Sequence, residues 1–225
     1  MIIDFHTHIT APKIIERRDE YLVRDAWFRD LYANPQARLS SAEELIAAMD
    51  TAGVTQAVVF GFGWRDMDLC RQDNDYVIES VARFPDRLVG FCIVNPASGA
   101  EAVREIERCA AAGLRGIGEL MPDGQGYRLD EEKSMAPVVE AAMAHDMLLL
   151  THCSEPVGHL YPGTVSYTHL RAHETVLDLV CRLLLEKNQS SNPRLTKPAT
   201  LPSHPLHPHQ AYPPRITPPA TTASA

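Results

Sequence analysis

Met1-Ile2-Ile3-Asp4-Phe5-His6-Thr7-His8 opens the chain, and its reading decides the fold. Met1 to Phe5 is a short apolar run that predicts a first β-strand ending in two histidines. Side chains alternate along a strand, so His6 and His8 point to one side and Thr7 to the other. In barrels of alternating strands and helices, active sites are built at the C-terminal ends of the strands, which is where this pair falls. Ten histidines in 225 residues give about 0.4 His-x-His pairs by chance, so position rather than pattern carries the reading. The plain alternative is two surface histidines at a strand end.

Outward from this stretch, strands and helices alternate. Residues 12–33 predict an inserted, partly helical segment. Ser41-Ala42-Glu43-Glu44 opens a helix in capping-box style, Leu45, Ile46 and Met49 form its buried stripe, and Gly53 stops it. Further strands are expected over 54–60, 88–94, 114–120 and 147–153. Helices are expected over 74–84, 100–112 and 131–145, with Val103, Ile106 and Ala110 facing inward on the second and Pro137 inside the third. Five strands separated by helices imply a parallel sheet joined by right-handed crossovers. The expected fold class is α/β, a partial (β/α)8 barrel of about five βα units; a complete one usually needs about 250 residues.

Two further residues fall in the layer of His6 and His8. Glu119 ends the fourth strand in Gly116-Ile117-Gly118-Glu119, where glycines allow close approach of a neighbour or ligand. A carboxylate there can ligate or bridge a metal, or orient water beside it; an ion pair with Arg115 or a loop cap is the alternative. His152 ends the fifth strand in Leu148-Leu149-Leu150-Thr151-His152. Leu148, Leu150 and His152 share a face, with the leucines expected to fill the barrel and the histidine to sit at its rim.

The stretches DFHTH (4–8), RGIGELMPDGQGY (115–127) and LLLTHCSEPVGHLYPG (148–163) resemble the amidohydrolase-related (amidohydrolase 2) family of metal-dependent barrel enzymes. The resemblance covers residues 1–163. It implies His6, His8 and His152 as metal ligands, and Glu119 matches the strand-four carboxylate of some branches. It also implies a histidine after a sixth strand and an aspartate base after an eighth, neither of which stands in matching context here. The implied cofactor is a divalent metal, zinc first, with manganese or iron as alternatives. The implied activity is hydrolysis of an amide, ester or lactone, favoured by Glu119. Decarboxylation by the same superfamily is the alternative, and an inactive truncated fragment is the reading from outside enzymology. The parent enzyme of such a piece is a possible homo-oligomer.

Candidates for contact with an acidic small-molecule substrate are Trp64 and Arg65, in the loop after the second strand, and His159, in the loop after the fifth. His145 ends a helix, where a cationic group suits the dipole.

The expected domains are 1–163, the N-terminal part of the barrel, and 164–225, a non-native tail. Nine of the 17 prolines lie from Pro193 to Pro219, a composition that predicts disorder. Residues 165–187 resemble the conceptual translation of a sequencing adapter. His169 and His173 there imitate a metal-binding helix pair but lack a zincin's Glu directly after the first histidine. His204, His207 and His209 lie in the proline-rich stretch and carry no further signal.

A net charge of -8 argues against nucleic acid as partner. No apolar run approaches the roughly 18 residues a membrane span needs, and no signal peptide is read at the N-terminus. Five scattered cysteines without a CxxC pair suit reduced thiols in a cytoplasmic protein.

Overall fold

The computed structural model describes residues 1–152. Its elements run β1 (Ile3–His8), α1 (Pro12–Glu16), α2 (Arg18–Arg24), α3 (Ala26–Tyr32), α4 (Ala42–Ala52), β2 (Gln56–Phe60), α5 (Met67–Arg83), β3 (Leu88–Cys92), a 3-10 turn (Pro96–Ser98), α6 (Ala100–Ala111), β4 (Gly116–Leu120), α7 (Pro122–Gln125), α8 (Glu132–Ala144) and β5 (Leu148–Thr151). The strands form one parallel sheet in the order β1-β2-β3-β4-β5 and curl into a half-barrel. Each strand pairs with the next in sequence because a helical crossover separates them. The tail from residue 164, together with Cys153, Cys181, His159, His169 and His173, lies outside the described residues.

Local chemistry places several boundaries. Ser41 caps α4 in a complete capping box with Glu44, and Gly53, at φ 71°, ends that helix. Helix α5 begins at Met67, well before the expected Asn74, because the Asp66 carboxylate accepts from the Asp68 N–H and caps it there. α7, unanticipated in the sequence, is a single turn opened by Pro122 and closed by Gly126 at φ 78°. Pro137 sits inside α8, whose C-cap is His145.

The core lies between the sheet and α4, α5, α6 and α8. The expected stripes shift slightly in phase. On α4, Met49 is buried while Leu45 and Ile46 are only partly so. On α6, Ile106 is buried with Ala102, Cys109 and Glu105, and Val103 and Ala110 stand at the margin. On β5 the expected burial is corrected: Leu148 is half exposed and Leu150 only partly covered, because β5 is a sheet edge among the described residues. Cys70, Cys92 and Cys109 are buried free thiols. No helix among the described residues is long and apolar enough to cross a membrane.

Helices α2 and α3 pack on the loop that follows β2, through Tyr21 and Phe28. Phe28 of α3 packs against Phe62 and Trp64, with ring centroids 5.2 and 4.7 Å away. Gly124 in α7 admits the Trp27 ring so closely that a Cβ would stand 2.4 Å from it.

Candidate metal centre

β1 carries His6 and His8 into the site, and the strand is longer than the apolar run alone implies. His8 pairs with Phe60 of β2, and the register slips between Asp4 and Thr7. Irregularities of this kind re-aim side chains next to active sites. Thr7 turns the other way and donates to the Val58 carbonyl at 2.6 Å. The Phe60 ring stands edge-on to both imidazoles, at 5.1 and 4.6 Å, and limits their tilt.

β4 has a matching slip between Ile117 and Leu120. Gly118 sits there at φ 124°, followed by a cis peptide to Glu119. A Cβ on Gly118 would lie 2.1 Å from the Leu150 carbonyl oxygen, so only glycine fits. This turn delivers the buried Glu119 carboxylate to the histidines.

Glu119 is the centre of the cluster. Its Oε2 lies 3.4 Å from His6 Nε2 and 3.5 Å from His8 Nε2, and its Oε1 lies 2.9 Å from His152 Nδ1. One ligand atom each from His6, His8 and Glu119 lie within 4.8 Å of one another. Burial pushes the Glu119 carboxyl up, but contacts with His152 and His8, and the charge of His152 and His6, outweigh it and hold the group at about 2. It is therefore a carboxylate at neutral pH, suited to accepting or ligating. A tetrahedral ion with bonds of about 2.1 Å keeps its ligand atoms about 3.4 Å apart, and the two Nε2–Oε2 separations match that edge. The donor set and its spacing fit a divalent metal.

The surroundings hold this cluster in place. The His8 Nδ1 lies 3.0 Å from the Gly61 carbonyl oxygen. A carbonyl only accepts, so Nδ1 carries a proton, and a bound ion would take the Nε2 lone pair where Nε2 otherwise faces Glu119 Oε2. Gln125 is buried and clips three loops together. Its Nε2 donates to the carbonyls of Trp64 and Val94, and its Oε1 accepts from the Met121 N–H, two residues past Glu119. Asn95 adds donations to the carbonyls of Arg65 and Gln125.

The sequence candidates thus divide. His6, His8, Glu119 and His152 come together. Trp64 does not face a solvent-filled loop: it is fully buried, packed on Phe28 and Phe62, with its indole N–H donated to Asp73 at 2.6 Å. That corrects its expected contact with substrate, since α3 covers the ring. Arg65 is exposed on the same loop, its guanidinium against Gly126, with its N–H held by Asp25. His159 lies outside the described residues. Three residues escaped the sequence reading. Tyr32 stands close enough to Glu119 that burial, and then that charge, raise its phenol. Gln125 looked like an ordinary loop residue. Asp73 is a buried acid on the inward stripe of α5, between Cys70 and Val77; a charge on such a stripe was the signal that could have found it.

The sequence profile of the amidohydrolase family matches residues 3–195. No curated protein matches the chain. Among solved structures, 5-carboxyvanillate decarboxylase from Novosphingobium aromaticivorans DSM 12444, complexed with manganese and 4-hydroxy-3-methoxy-5-nitrobenzoic acid, has a TM-score of 0.63 at 22% identity, over 87% of this chain and 72% of that one. 5-Carboxyvanillate decarboxylase from Sphingomonas paucimobilis has a TM-score of 0.55 at 26% identity, over 86% and 65%. 4-Oxalomesaconate hydratase from Rhodopseudomonas palustris has a TM-score of 0.50 at 20% identity, over 84% and 60%. The chain spans between 60% and 72% of the length of these three structures.

Proposed function

The chain belongs to the amidohydrolase family, and from that premise we propose that His6, His8, Glu119 and His152 are the metal-holding half of a hydrolase acting on an ester, amide or lactone of a small carboxylated substrate. The observation that carries this is the Glu119 carboxylate drawn in among three imidazoles. A bound divalent ion would polarise the scissile carbonyl and activate water near neutral pH. His6 and His8 would hold the ion through Nε2, and Glu119 would ligate it or accept a hydrogen bond from a water beside it. With its carboxyl held at about 2, Glu119 is too weak a base to take the proton from water, so that proton would pass to another base; the family resemblance puts an aspartate in that role. Arg65, exposed on the rim, is the candidate cation for a substrate carboxylate, and His159 remains a candidate beside it. Zinc suits imidazoles with a carboxylate; manganese, present in the Novosphingobium structure, is the second choice.

Decarboxylation is the second reading. It is favoured by the 26%-identical neighbour, a 5-carboxyvanillate decarboxylase matched over 86% of this chain. The purified chain, loaded with zinc or manganese, is assayed against a panel of esters, amides, lactones and hydroxylated aromatic acids. Hydrolysis that needs metal and falls at least about 100-fold in Glu119→Gln supports the first reading. Carbon dioxide release without hydrolysis assigns the second. A folded, metal-loaded chain with neither activity supports the view that this length of chain is an inactive fragment.

A further inference from the structure

We propose that Asp73 is a positioning residue for His8, acting through the single peptide group between Gly61 and Phe62. The carbonyl of that peptide lies 3.0 Å from His8 Nδ1, and its N–H donates to Asp73 Oδ2 at 2.9 Å. The two bonds leave opposite edges of one planar unit, so fixing one end fixes the other. The Trp64 indole N–H donates to the same Oδ2 at 2.6 Å and locks the carboxylate's direction. Gly61 is required for this approach, since a Cβ there would stand 2.5 Å from Oδ2.

The arrangement does chemical work as well as steric work. A negative charge at the N–H end of a peptide pulls its dipole into line and raises the electron density on the carbonyl oxygen. The Gly61 oxygen becomes a stronger acceptor for His8 Nδ1–H. Nε2 is then left to present the lone pair, as when a carboxylate contacts a ligating histidine directly. Here one peptide is interposed. The cost is visible: Asp73 is almost wholly buried, and its Oδ1 has no hydrogen-bond partner among the described residues. A carboxylate held in apolar surroundings with one oxygen unpaired disfavours folding, and a loop clamp alone needs only a neutral acceptor. The inference rests on the reading of His8 as a metal ligand.

The test uses the full chain, labelled with 15N-histidine, metal-free at pH 8. Two-bond 1H–15N correlation spectra give the His8 tautomer without reference to activity. The wild type is expected to hold the Nδ1–H tautomer. Asp73→Ala lets the tautomers even out and weakens cobalt(II) binding, measured by chelator competition, about tenfold. Asp73→Asn keeps the acceptor oxygen and the tautomer but loses the charge, and binds cobalt about threefold more weakly. A folded Asp73→Ala chain with wild-type tautomer and cobalt affinity overturns the proposal. If Asp73→Ala does not fold, Asp73→Asn decides, and wild-type affinity there overturns it. A wild-type chain whose His8 tautomer depends on Asp73 but which takes up no cobalt upholds the positioning and instead removes the metal reading beneath it.

Discussion

Asp73 and Glu119 are two buried carboxyls on opposite sides of His8, and their surroundings drive them in opposite directions. Burial raises Asp73 to about 6, against the opposing pull of the Phe62 and Trp64 bonds and the nearby His8. Glu119 is held at about 2 by its histidines. For Asp73 the folded value lies above the ordinary one, 3.8, so folding favours its protonated form. Its stabilising contribution is present below pH 3.8 and is lost as pH rises through about 6. Over that window the loss is on the order of 3 kcal/mol. Asp73→Asn carries no such penalty. Its unfolding free energy relative to wild type is therefore expected to rise between pH 4 and pH 8, by urea denaturation at each pH. A flat difference would contradict the assignment. At this scale the sequence was informative about which candidate residues come together and blind to what supports them. His6, His8, Glu119 and His152 stand at strand ends that periodicity locates. Asp73 and Gln125 are tied to the site by bonds spanning a helix and three loops, which no local spacing encodes.

At the scale of elements, β1 and β4 share one device: a register slip where the candidate site residues leave the strand. Alternation in the sequence predicts which face His6 and His8 share, but not the slip that aims Glu119 between them. The two glycines of Gly116-Ile117-Gly118 signalled close approach, and the structure shows what approaches: Phe91 at the first and Leu150 at the second. Gly118→Ala forces a Cβ into a backbone carbonyl at a positive φ. It is expected to destabilise the chain by about 3 kcal/mol or more and to misplace Glu119. Thermal unfolding with zinc titration checks both, and an unchanged midpoint and affinity would refute the account of this turn. Helix ends were legible where caps are local, as at Ser41 and Gly53. The start of α5 was missed because its cap, Asp66, follows a loop whose Phe62 and Trp64 are apolar yet not helical. Trp64 was misjudged for a similar reason: its burial comes from α3, distant in sequence.

On the scale of the whole molecule, β1 and β5 are the edges of the sheet among the described residues. Ile3 and Phe5 on one and Leu148 on the other are exposed, at 44%, 54% and 50%. Apolar edge strands template pairing with other chains. The chain is expected to self-associate in a concentration-dependent way, and Ile3→Lys with Leu148→Lys to shift it toward monomer in sedimentation velocity. A monomer at every concentration would show those edges to be covered. The repeat of strand and helix made this architecture readable in advance, because a parallel sheet needs a crossover between each pair of strands. The curl that carries β4 and β5 back toward β1 was expected from the barrel reading of the repeat, and it is what brings Glu119 and His152 to the histidines of the first strand.

The most direct test of that convergence is the metal content of the purified full chain after stripping, reconstitution with zinc or manganese, and removal of loose ions. About one tightly held ion per chain is expected in the wild type, and almost none in a His6→Ala, His8→Ala double variant that still folds. A wild-type chain that retains no metal, or a double variant that retains as much, would contradict that expectation.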